Sequence, residues 1–186
     1  MTKTDVLFVQ GGGKGAYDED AALAASLKRA LGGGFEVHFP RMPDEADPKV
    51  KSWKRKISAE LSRLRGKVLL VGHSVGGSIL LKYLSEEEAK KTIAGLFLLA
   101  APSWDEDRWN FDDLKLPRNI AEKLACIPRI FLYHSRDDVV VPFAHLALHA
   151  ARLPQATIRA VDGRGHQFGN DLTDVARDIR RDGPII

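Results

Sequence analysis

The pentapeptide Gly72-His73-Ser74-Val75-Gly76 directly follows the apolar run Val68-Leu69-Leu70-Val71. A G-x-S-x-G sequence set between a strand and a helix constrains a chain severely. The serine must occupy a sharp turn with strained backbone angles, and strand and helix must pack so closely that the flanking positions are small. Both contexts are present. The preceding run has the length and the β-branched and leucine content of a buried parallel strand. After it, Val75, Ile79 and Leu80 recur at helical spacing. The serine hydroxyl then stands at the top of a sheet, near a helix N-terminus that favours developing negative charge. The alternative is a structural turn; the strand-then-helix context favours a nucleophile.

Strand-like runs at Asp5–Val9, Phe35–Phe39, Lys67–Val71, Ile93–Ala100, Arg129–His134 and Thr157–Val161 alternate with helical segments. The helices are expected near Glu19–Leu31, Pro48–Leu64, Val75–Ala89, Asn119–Leu124, Phe143–Arg152 and Leu172–Arg181. Gly32-Gly33-Gly34 ends the first of them and Asp47-Pro48 opens the second. Such alternation predicts βαβ units and a doubly wound parallel sheet in a three-layer α/β sandwich. With 186 residues and no linker or repeat, the whole chain, 1–186, reads as one domain.

In such a sheet, ligands bind beyond the carboxyl ends of the strands, so a base and an acid are expected there. After Arg129–His134 comes Ser135-Arg136-Asp137-Asp138, ahead of Pro142. An aspartate here would accept from an imidazole Nδ1–H, fix its tautomer and stabilise its cation. Asp138 is favoured because it stands four residues before Pro142; Asp137 is the alternative, with a turn as its bland role. After the last strand, Gly163-Arg164-Gly165-His166 sets a histidine on a glycine loop, suited to a general base. The other histidines fit less well. His73 is constrained inside the elbow, His134 closes a strand, and His38 has no acid partner in the sequence. His145 and His149, four apart on a helix, read as a packed or solvated face rather than a metal pair.

The first strand runs into Gln10-Gly11-Gly12-Gly13-Lys14-Gly15. Bare backbone there would supply one donor of an oxyanion hole, at Gly12 or else Gly13, with the Val75 N–H as the other. The order G-G-G-K-G completes neither the phosphate-loop nor the dinucleotide fingerprint, so no nucleotide, metal or other cofactor is expected. The interval from Ala101 to Pro128 is too short for a cap domain. Its Trp104, with Tyr17 and Phe143, is a candidate lining for an apolar substrate pocket; the competing reading of these rings is core closure.

Scattered charge, at a net +3, gives no nucleic-acid stripe. No segment is long enough to span a membrane, no secretory leader is visible, and the setting expected is cytoplasmic. Cys126 is the single cysteine; its apolar neighbours predict a buried thiol.

Together the G-H-S-x-G-G elbow at Gly72–Gly77, the Asp137-Asp138 loop before Pro142 and the terminal Gly165-His166 make the chain resemble the α/β-hydrolase superfamily. Within it the chain is similar to the small cap-less serine hydrolases typified by retinoblastoma-binding protein 9 and its bacterial relatives. The resemblance covers nearly the whole length. It implies a six-stranded parallel sheet in the order 2-1-3-4-5-6 and a Ser74–Asp138–His166 triad in the chain order of that superfamily. The first loop departs from the typical member's glycine and asparagine arrangement. Leu124-Ala125-Cys126-Ile127-Pro128 lacks the glutamate of an L-x-C-x-E motif, so no pocket-protein partner is implied. The function expected is hydrolysis of small carboxylic esters through an acyl-enzyme. Thioester or amide cleavage by the same triad is an alternative, as is a non-catalytic binding module on the same fold.

Overall fold

The computed structural model describes residues 3–86, 92–106 and 109–181. Six parallel strands form one sheet: β1 (Thr4–Val9), β2 (Phe35–His38), β3 (Val68–His73), β4 (Ile93–Leu99), β7 (Ile130–Ser135) and β8 (Thr157–Val161). Their order is β2-β1-β3-β4-β7-β8, the expected 2-1-3-4-5-6. A two-stranded antiparallel hairpin, β5 (Asp105–Glu106) with β6 (Trp109–Asn110), lies in the interval after β4. That hairpin was not expected, and among the described residues no cap domain accompanies it.

The central strands β3 and β4 are buried at every position because the sheet is covered there on both faces. Alternate residues feed two separate cores. Leu7, Val9 and Leu70 pack with Trp53 and Ile57 of α2 (Val50–Arg63) and with Ile79 and Leu80 of α3 (Val75–Glu86). Val6, Phe8, Leu69 and Val71 pack with Leu23 and Leu27 of α1 (Ala16–Leu31) and with Val175 and Ile179 of α6 (Thr173–Arg180). The remaining helices are α4 (Ile120–Lys123) and α5 (Ala144–Arg152). Residues 87–89, the expected end of the third helix, lie outside the described residues.

Two expectations are corrected. Cys126 is exposed; the neighbours that suggested burial, Leu124 and Ile127, turn inward while the thiol points away. His38 does have an acid partner: its Nε2 lies 2.7 Å from Asp5 Oδ1 on the adjacent strand. The parallel register of β1 and β2 creates that pair.

Candidate active site

β3 continues two residues past its apolar run, through Gly72 and His73, because both pair with β4 opposite Leu98 and Leu99. The chain then turns at Ser74, whose φ of 50° is in the left-handed region. A side chain other than glycine is rare there, and such strain gathers at functional turns. Helix α3 starts at the next residue. The Ser74 carbonyl accepts from the Gly77 N–H at 3.0 Å and the Ser78 N–H at 3.3 Å, so the Val75 and Gly76 amides are the ones that the helix leaves without an acceptor of its own. The flanking glycines allow the approach: a Cβ on Gly72 would lie 2.7 Å from Gly77 Cα, and one on Gly76 would lie 2.1 Å from the Gln10 carbonyl oxygen.

Asp138 and His166 come together from the ends of β7 and β8. His166 Nδ1 lies 2.8 Å from Asp138 Oδ2. The other carboxylate oxygen, Oδ1, accepts from the Val140 N–H at 2.8 Å and the Val141 N–H at 2.9 Å. His134 Nε2 approaches Oδ2 at 3.2 Å while also donating to the Val141 carbonyl at 2.9 Å. Burial alone would raise the Asp138 pKa, but bonds from His134, His166 and Val141 outweigh it and hold the carboxyl far below its ordinary range. It is therefore an anion at every working pH, which an orienting acid requires. Asp137 does not face His166. It accepts from the Ser135 hydroxyl and from the Gly165 N–H at 3.2 Å, bracing the two loops together.

The glycine loop after β1 is partly committed. The Gly11 N–H donates to Asp20 Oδ2 at 2.7 Å and the Gly13 N–H to the Glu45 carbonyl at 2.6 Å. Gly12 stands between them, against Val75: a Cβ built on it would meet Val75 Cβ at 3.3 Å. Of the two glycines considered for the oxyanion donor, Gly13 is thus spent on Glu45. The N-terminus of α1 already binds a carboxylate. The Glu45 carboxylate caps it, accepting from Tyr17 N–H at 2.9 Å, Gly15 N–H at 3.3 Å and the Gln10 amide at 2.8 Å. Among the described residues, no group of three His, Cys, Asp or Glu is placed to hold a metal ion.

The three aromatic candidates for pocket lining are each packed on protein. Tyr17 stacks on Phe39 at 4.5 Å, with the Arg41 guanidinium 4.2 Å from its ring. Phe143 meets His134 edge-on, with Arg136 4.9 Å from its ring. Trp104 packs against the α2–α3 side of the core. His145 and His149 form the packed face expected of them. His145 Nδ1 accepts from the Ser103 N–H at 2.8 Å, and His149 Nε2 lies 3.1 Å from the Ala101 carbonyl.

Sequence reasoning missed Glu45, Asp20 and the bonding of His73. His73 Nδ1 lies 2.9 Å from the Asp20 carboxylate and its Nε2 lies 3.0 Å from the His166 carbonyl oxygen. One signal was available. Asp20 shares the apolar stripe of α1 with Leu23, Ala24 and Leu27, a position where a carboxylate needs a partner.

Comparison with known proteins gives the family and the fold. A model of the serine hydrolase family matches residues 27–170, a span that holds Ser74, Asp138 and His166. YdeN of Bacillus subtilis (strain 168), described as a hydrolase, is 26% identical over 148 residues, 75% of this chain and 74% of YdeN. The YdeN crystal structure superposes with a TM-score of 0.78 at 20% identity, covering 96% of this chain and 97% of that one. A serine hydrolase involved in carbazole degradation, CarC, superposes with a TM-score of 0.68 at 15% identity, covering 96% and 90%. The fold is that of the α/β-hydrolase superfamily, and the chain belongs to the serine hydrolase family.

Proposed function

We propose that the protein cleaves small carboxylic esters through an acyl-enzyme formed on Ser74. The observations that carry this reading are the 2.8 Å Asp138–His166 bond beyond the ends of β7 and β8 and a serine held at φ 50° where β3 turns into α3. With its Nδ1–H donating to Asp138, His166 offers the Nε2 lone pair as the base. Ser74 Oγ attacks the ester carbon as its proton passes to His166. The carbonyl oxygen becomes an oxyanion between the Gly12 and Val75 N–H groups. The C–O bond then breaks, and the leaving alcohol departs with the proton from His166. A water, deprotonated by His166, hydrolyses the acyl-Ser74 ester and restores the enzyme.

The rim suits an apolar group. Val139 is 94% exposed and Val140 56% exposed on the loop between Asp138 and Pro142, beside the partly buried Phe143. A fluorophosphonate probe should label the wild type and spare Ser74→Ala, and p-nitrophenyl acetate and butyrate should give a burst followed by turnover. Equal labelling of both proteins would sink the nucleophile assignment. Turnover of thioesters or amides in preference to esters would move the substrate class and leave the mechanism intact. Labelling of neither protein, with no turnover, would favour a binding module.

A further inference from the structure

Asp20 is 1% exposed in the second turn of α1, and it ties three loops of the site together, two directly and the third through His73. Its carboxylate accepts from the Gly11 N–H of the oxyanion loop at 2.7 Å. It faces His73 Nδ1 of the elbow at 2.9 Å. His73, 1% exposed, passes the connection on: its Nε2 lies 3.0 Å from the main-chain oxygen of His166. The two imidazole rings are 4.8 Å apart.

Both nitrogens of His73 face oxygen acceptors. A neutral imidazole has one N–H and one lone pair, and would aim the lone pair at one of those acceptors. The imidazolium satisfies both. The titratable groups facing it are Asp20 and His166, with Asp138 beyond, and the edge of Phe168 lies 6.5 Å away between centroids. Burial opposes a charge on His73, yet Asp20 outweighs it and raises the imidazole above its ordinary pKa. Stability does not account for such a pair, since apolar residues commonly fill the space of a buried ion pair as well or better. Apolar residues would not hydrogen-bond three loops together.

We propose that Asp20 and His73 form a second acid–imidazolium couple, behind the triad, that positions the catalytic loops. Asp20 fixes the imidazolium and the Gly11 backbone, and the imidazolium fixes the main chain of His166. Both are positioning residues acting through Gly12 and His166. The inference rests on the hydrolase reading above.

The test combines kinetics with a readout that needs no turnover. In the full chain labelled with ¹⁵N-histidine, both ring nitrogens of His73 should be protonated at pH 8, where a free imidazole is neutral. Asp20→Ala should lower kcat and the fluorophosphonate labelling rate by on the order of 10²-fold with KM little changed, because loops of the site shift by about 1 Å. Asp20→Asn keeps the volume and the Gly11 bond and can donate to His73 Nδ1. It should leave His73 neutral, protonated at Nε2, and show a smaller loss of kcat; it carries the test if circular dichroism shows the alanine variant unfolded. A neutral His73 in the wild type at pH 8, or wild-type kcat in a folded Asp20→Ala protein, would overturn the proposal. An unreactive wild type with a doubly protonated His73 would instead overturn the hydrolase reading.

Discussion

Gly76→Ala is the sharpest perturbation that the fold offers. The added Cβ would stand 2.1 Å from the Gln10 carbonyl oxygen and 2.6 Å from that of Val9. Both obstacles are backbone at the end of β1, so no side-chain rotation relieves the clash. A carbon–oxygen contact settles near ~3.3 Å, so α3 must back away from β1 by about 1 Å. Val75 and Ser74 move with it, since they form the turn into that helix. Overpacking of this kind costs about 3 kcal/mol at the upper end of its usual range. For a chain of this size that lowers the midpoint of unfolding by roughly 6–12 °C. A 1 Å displacement of the nucleophile lowers the acylation rate by on the order of 10²-fold. Gly33→Ala is the control: a Cβ there meets nothing within 4 Å, and the glycine has no positive φ. Thermal unfolding monitored by circular dichroism and the rate of fluorophosphonate labelling read the two consequences separately. A Gly76→Ala protein that melts within 2 °C of the wild type (well inside that expected drop) and labels at the wild-type rate would refute the close approach of elbow and first strand.

Other perturbations follow from the same geometry. Asp138→Asn should preserve the fold and lower kcat by about 10⁴, as expected when an orienting acid no longer fixes the tautomer of its base; steady-state kinetics on a p-nitrophenyl ester checks it. Glu45→Ala removes the acceptor that caps α1 and holds Gln10, which should cost about 1–2 kcal/mol in urea unfolding and slow acylation through the oxyanion loop. Asp178 is bound by Arg159 at 2.9 and 3.1 Å and by the Tyr133 hydroxyl at 2.9 Å. Burial pushes its pKa up, but those partners outweigh it and hold it below the ordinary value. A depressed folded pKa stabilises the protein above the unfolded value of ~3.9 and ceases to do so as pH falls through the folded value. Melting temperature should therefore drop steeply below about pH 4. Asp178→Asn should melt roughly 4–8 °C lower at pH 7, for about 2 kcal/mol lost, and show a shallower acid drop. An unchanged acid limb in that variant would assign the drop to other carboxylates.

The parts of this molecule that were legible in its sequence are those whose constraints are local. A strand buried on both faces must be largely apolar, which marks β3 and β4, while the edge strands β2 and β8 show as short β-branched or aromatic runs; all six were found within a residue or two of their ends. Ser74, Asp138 and His166 each follow such a strand, and the turn chemistry around each is written in neighbouring residues. The β5–β6 pair was invisible because two residues per strand are too few to show a period. Cys126 was misplaced because a short apolar run does not say which side of a turn faces inward.

Partners across the fold were harder, since they depend on register and loop path. Asp5 and His38 meet because of how β1 lies on β2, and Glu45 reaches α1 because its loop is held by Trp53, whose Nε1–H donates to the Pro43 carbonyl at 2.6 Å. Two other pairings were half readable. Asp20 lies on the stripe of Leu23, Ala24 and Leu27, and Asp178 on that of Val175 and Ile179. An acid on an apolar stripe either breaks the helix face or has a committed partner, because an unpaired buried carboxylate costs too much to persist. The two acids differ in what they bind, and that separates their roles. Asp178 joins α6 to β7 and β8 away from the strand ends, so its loss should register as stability. Asp20 joins three loops at the strand ends, so its loss should register in the chemistry as well.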